Sequence, residues 1–190
     1  MRYAYLMELP KDIEALRARV RQGESFKYFP FYGHTRSVGR VTASCLSQWY
    51  EAEFRVGEDR YATAEHYMMA EKARLFGDER ALGEILAAAT PAEAKRLGRT
   101  VRGFDASRWA ERRSAVVILG NVQKFSQHAE LRAFLLGCGS VVFVEASPRD
   151  RIWGIGLGRA NPAAADPFSW RGLNLLGFAL SAVAEQLASP

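Results

Sequence analysis

Cysteine and histidine are scarce in this chain and follow no pattern. Cys45 and Cys138 lack CxxC spacing, and His34, His66 and His128 fall without metal-ligand intervals, so neither a bound metal nor a redox cofactor is expected. Long apolar runs are missing too. VVILG at 116–120 and VVFV at 141–144 are far shorter than the roughly 20 residues a membrane helix needs. No charged-then-apolar secretory pattern follows Met1, and the chain reads as cytoplasmic with no membrane partner. Internal repeats and low-complexity linkers are absent as well, while 48% of the residues are hydrophobic. That combination excludes a disordered chain and fits one domain over 1–190, with a peripheral helix in 1–25 and the main body at 26–188.

What is present begins with charge. The net charge is +5, and Lys95, Arg96, Arg99, Arg102, Arg108, Arg112 and Arg113 crowd one stretch against only Asp105 and Glu111. Two readings stand: a docking site for something anionic, or solvated helix faces, since no nucleic-acid-binding motif accompanies the run.

The periodicities predict a helix-rich α+β domain with a small, mostly antiparallel sheet. Ile13, Leu16 and Val20 give a leading helix that stops at Gly23. FKYFPFYGH at 26–34 favours extended chain and a turn; WYEAEFRV at 49–56 suits a strand, turned back by GEDR at 57–60. Helices are predicted over 64–75, 78–88, 91–98, 109–125 and 129–136, with Thr90-Pro91-Ala92-Glu93 as a capping box. VVFVEA at 141–146 reads as a buried strand, and a last helix closes the chain within 173–188.

Three constellations can carry chemistry. In TAEHYMMAEKARLF at 63–76, Glu65, Met69 and Lys72 recur at i, i+4 and i+7, so acid and amine share one helix face about 10 Å apart along the axis. A surface Glu and Lys with unrelated partners is the plainer alternative. In VEASPRDRIWGIGLG at 144–158, a strand delivers Asp150, flanked by Arg149 and Arg151, into Trp153 and the glycines Gly154, Gly156 and Gly158. These let backbone approach a phosphate or sugar, although a tight structural loop would look the same. In the stretch from Trp109 to Phe125, Arg113, Val117, Gly120 and Lys124 line one stripe with a cation at each end, which suits phosphate or solvent.

Five motifs in register resemble the YbiA-like or NADAR family, named for NAD and ADP-ribose: TAEHYMMAEKA, AKRLGR at 94–99, the tryptophan and arginine of Trp109 to Arg113, KFSQHAELRAFLL at 124–136, and VEASPRDRIWGIGLG followed by NLLG. The similarity runs from Phe29 to Leu187. It implies a YbiA-like fold and an N-glycosidase that cleaves a ribosyl C–N bond. The substrate would be a phosphoribosylamino intermediate of riboflavin synthesis or ADP-ribosylated guanine in DNA or RNA, that is, a ribosyl-phosphate or ADP-ribosyl group. By motif, the family's key glutamate falls on Glu65, its lysine on Lys72, its tryptophan on Trp109 and its aspartate on Asp150. The chain departs where SQWYEAEF at 47–54 stands for a phrase like SNFYPSPF, placing Gln48 where the family has asparagine.

The chemistry of the residues agrees. Cleaving an N-glycosidic bond builds positive charge at the anomeric carbon, which the Glu65 carboxylate would stabilise, or it would activate water. Asp150 would protonate the leaving nitrogen or hold ribose hydroxyls, and ribose binding is the better fit because its arginine neighbours favour the ionised form. Lys72 offers a Schiff base to the ring-opened sugar if burial lowers its pKa. Trp109 and Trp153 would stack on a heterocycle, while Arg113 and Lys124 hold phosphate. A non-catalytic ADP-ribose or nucleic-acid binding module would use the same aromatic and cationic groups without turnover.

Overall fold

A computed structural model describes residues 8–189. Seven α-helices and four short strands follow one another among these residues. They form two units: the described residues up to Pro30 together with Cys138–Ala182, and Phe31–Gly137 together with the residues from Val183 onward. No helix of the described residues is long and apolar enough to cross a membrane.

In the first unit, α1 (Ile13–Arg21) starts at Asp12, whose side chain accepts the Ala15 N–H at 2.7 Å. Its apolar stripe is anchored rather than loose. Ile13 and Leu16 bury against Val142, Val144, Ile155, Leu157 and Trp170. Strand β1 (Tyr28–Phe31) pairs in parallel with β4 (Val142–Glu145). Val142, Phe143 and Val144 of β4 are all buried, a continuous apolar run rather than an alternating one. Asn174, whose φ of 54° is left-handed, bonds both ways to β4: Oδ1 accepts from Glu145 N at 3.0 Å, and Nδ2 donates to Phe143 O at 2.8 Å. The side chain thereby supplies partners that a further strand would otherwise provide.

The second unit is built round a helix. β2 (Phe54–Val56) and β3 (Asp59–Tyr61) form an antiparallel hairpin with Phe54 opposite Tyr61, turning at Gly57 with φ 58°. Then comes α2 (Ala64–Leu75), in which every residue from Ala64 to Ala70 is buried. Three helices pack on it: α3 (Glu79–Leu86), α4 (Pro91–Gly98) and the long α5 (Ala106–Gln127). Two glycines set the spacing. A Cβ on Gly120 would lie 2.4 Å from the Tyr67 ring, and one on Gly98 would lie 2.1 Å from Met69 Sδ. α6 (Ala129–Gly137) follows α5, and α7 (Leu175–Ala188) closes the chain.

The fold is thus α+β and helix-rich, as the periodicities indicate. The sheet differs from expectation: there are two two-stranded sheets, and only the hairpin is antiparallel. The strand expected over 49–56 is confined to Phe54–Val56; at its start the backbone turns back on Ser47, with Trp49 N–H donating to Ser47 Oγ at 3.1 Å and Tyr50 N–H to Ser47 O at 3.3 Å. α5 starts three residues earlier than expected, at Ala106, because Asp105 caps it by accepting the Arg108 N–H at 2.7 Å.

Candidate active site

The first turn of α2 carries Glu65. Thr63 caps the helix, and its hydroxyl also meets His66 Nδ1 at 2.8 Å while His66 Nε2 lies 3.1 Å from Ala88 O. With Nε2–H donating to that carbonyl, Nδ1 accepts from Thr63, and burial pulls the imidazole pKa down, so the ring is held as the neutral tautomer. Glu65 itself is only 2% exposed. Its backbone N–H is one of the donors a helix leaves without an internal acceptor, and here it donates to Gln48 O at 2.9 Å.

Two turns on, Lys72 is 8% exposed and donates from Nζ to Gly98 O at 2.6 Å. Its ammonium lies 4.1 Å from the centroid of the Phe104 ring, itself 46% exposed and edge-on to Phe76. Burial, and then the nearby Arg99 charge, push the Lys72 pKa below the usual lysine value. The helix therefore buries a carboxyl and an amine on one element. That is unlike an exposed Glu–Lys surface pair.

On α5, Trp109 and Arg113 are half-buried, and the buried Arg113 Nε has no acceptor among the described residues. Lys124 lies deeper. It is 0% exposed, and its Nζ donates to Cys45 O at 2.6 Å and Ser47 O at 3.0 Å. Burial lowers its pKa to about 8. The phosphate-holding role expected of Lys124 is corrected on this geometry: its ammonium is committed to backbone carbonyls out of reach of solvent. In the first unit, Asp150 Oδ1 accepts from Ile152 N at 2.9 Å and Trp153 N at 2.8 Å, fixing the strand-exit loop. Gly154 is buried there, and a Cβ on it would come 2.8 Å from Glu145 O. Its bareness thus serves loop packing as well as the ligand approach expected of it.

Spacing alone did not single out Asn121, Gln48 or Phe104. Asn121 is 0% exposed, and its Nδ2 donates to Gln48 Oε1 at 2.7 Å and Val117 O at 2.8 Å. Its one available signal was its place three residues before Lys124 on the same face of α5. Among the described residues, no group of three or more His, Cys, Asp and Glu side chains converges as metal ligands. A cleft of about 360 Å³ in the second unit is lined by Arg36, Tyr50, Glu53 and His128, and by none of the predicted site residues.

Residues 30–188 match the NADAR domain family. An N-glycosidase of Acanthamoeba polyphaga mimivirus is 39% identical over 168 residues, covering 86% of this chain and 98% of the viral one. The chain belongs to the NADAR domain family. N-glycosidase YbiA of Escherichia coli K12 is 34% identical over 134 residues, 70% of this chain and 75% of the relative. The solved NMR structure of E. coli YbiA superposes with a TM-score of 0.69 at 29% identity, covering 87% of each chain. The NADAR match contains all the predicted site residues, from Glu65 to Gly154.

Proposed function

We propose that the chain cleaves the C–N bond between a ribosyl anomeric carbon and its substituent nitrogen, with Glu65 as the carboxyl group of the reacting centre. It is a hydrolase acting on N-glycosyl compounds, the class supported by its family and by relatives named N-glycosidases. The observation that carries the site assignment is the burial of Glu65 and Lys72 on one helix. Burying two ionisable side chains is costly in a structural helix, and such groups concentrate where chemistry needs them.

Positive charge grows at the anomeric carbon as its bond to nitrogen or to the ring oxygen breaks, and a Glu65 carboxylate beside it lowers either barrier. Lys72, 8% exposed beside the Phe104 ring and with its pKa lowered by burial, offers a covalent route next to direct attack by water. Ring opening leaves C1 doubly bonded to the substituent nitrogen, and the Lys72 amine adds there. The substituent departs with a proton, leaving an imine between C1 and Nζ, which water hydrolyses to free sugar and amine. Within the same unit, Trp109 stacks on the heterocycle, and the Arg113 Nε, without an acceptor among the described residues, meets a phosphate oxygen.

The substrate class is a phosphorylated ribosyl group on nitrogen, with phosphoribosylaminopyrimidine and guanine-ADP-ribosylated DNA or RNA as the two candidates. Incubation with each, followed by mass spectrometry, distinguishes them: free sugar phosphate marks the first, free ADP-ribose the second. Borohydride added during turnover is expected to fix a sugar adduct on Lys72. Turnover without an adduct would leave direct water attack as the route. Binding of either compound without release would support the non-catalytic module instead.

A further inference from the structure

A buried lysine needs a reason. Lys124 is fully enclosed on α5, no ion pair of the described residues involves it, and its ammonium rests on the carbonyls of Cys45 and Ser47 and near the rings of Tyr50 and Phe125. Leucine or methionine would fill that volume without the desolvation cost of a charge. What the charge adds is a firm hold on two backbone carbonyls. One turn earlier on the same face, the enclosed Asn121 donates to the Gln48 side chain. The two α5 residues thus grip consecutive points, residues 45, 47 and 48, of a segment without a strand or helix of its own beyond the 3₁₀ turn Ala43–Leu46. The next hydrogen bond in the chain of contacts is the one from Glu65 N to Gln48 O.

Resting on the reading of Glu65 as the reacting carboxyl, we propose that Asn121 and Lys124 are positioning residues: through the segment 45–48 they fix the backbone of Glu65, and so the placement of its carboxyl group. The same contacts orient Gln48. With Oε1 accepting from Asn121, the Gln48 amide keeps its N–H₂ group as a donor, on the residue whose carbonyl accepts from Glu65 N. The departure from the family's asparagine therefore adds one methylene at a place held rigid from behind, where it alters the reach of that donor.

Backbone amide exchange followed by NMR tests the brace without reference to activity. In the unaltered protein the Glu65 amide, though in the first helical turn, should exchange as slowly as amides in the middle of α2. Exchange at the rate of an open helix end would overturn the brace outright. In Asn121→Ala and Lys124→Met, Glu65 should lose protection while Ile85 on α3 keeps it; equal loss at both would mean general loosening and would also overturn the proposal. In sugar release, each variant should lower kcat by about a hundredfold with KM nearly unchanged, as for a small misplacement of a reacting group. Combined with Glu65→Gln, neither should lower the residual rate further, because they act through Glu65. An additive further loss would contradict that. Full activity of Glu65→Gln by itself would sink the reading of Glu65, whereas normal kcat in the Asn121 and Lys124 variants with an inactive Glu65→Gln would sink the brace alone.

Discussion

Lys72 and Lys124 are both buried amines with lowered pKa, yet their surroundings give them different work. Lys124 sits under two carbonyls with no exposed surface, whereas Lys72 is covered on one side by the half-open Phe104 ring. If Lys72 acts as a neutral amine, kcat should rise with pH through its lowered pKa, below the usual lysine range, and Lys72→Arg should abolish borohydride trapping because arginine forms no such imine. A flat pH–rate profile with trapping unchanged would contradict the covalent route. Lys124 makes a stability prediction of defined sign. Its folded pKa of about 8 lies below the unfolded value, so the charged amine costs stability below pH 8, and that cost is relieved as pH rises from 8 toward the unfolded value. Thermal melting of the wild type relative to Lys124→Met should therefore improve between pH 7 and pH 10. A constant difference would mean the amine is not desolvated. None of this could be read from spacing. The sequence placed Lys124 on a stripe with Arg113, but whether that stripe faced solvent or the segment 45–48 depended on the partner packed against it.

Helix α2 shows what periodicity can and cannot reveal. Its limits, Thr63 cap and Glu65–Met69–Lys72 face were legible, because capping and the 3.6-residue repeat are local. The burial of every residue from Ala64 to Ala70 was not, since it depends on α3, α4 and α5, which pack on the helix from later in the chain. The spacing of those helices rests on glycine. Gly120→Ala places a methyl group against the Tyr67 ring, and overpacking there should cost about 1–3 kcal/mol, read as a lower denaturation midpoint with unchanged m-value. Wild-type stability in that variant would mean that α5 can shift away from α2. The parallel pairing of β1 with β4 was hidden for a similar reason: the two strands lie far apart in sequence, and nothing within either one states its partner. Hairpin β2–β3, by contrast, announces itself through its turn.

At the scale of the whole molecule, the family resemblance and the residue chemistry reach the same class of reaction from different directions. Five motifs in register, and the match over residues 30–188, fix the family. The buried Glu65 and Lys72 of α2 both lie within that match. The arginine-rich stretch from Lys95 to Arg113 is partly committed to structure, with Arg102 bonded to Asp78 and Arg96 near Glu93. Arg102 and the Ala81 and Arg102 backbone amides hold the Asp78 carboxyl far below the usual carboxylate range. Net charge therefore overstates the cations left for a substrate, which is why composition could not decide between a metabolite and a nucleic acid.

The most direct test of the central claim is sugar release, followed by mass spectrometry, from the substrate that the wild type accepts, with wild type and Glu65→Gln compared at equal folded concentration. The wild type should turn over many times, and the variant should lose at least about a hundredfold in rate with its melting temperature preserved. A well-folded Glu65→Gln protein that releases sugar at the wild-type rate would contradict it.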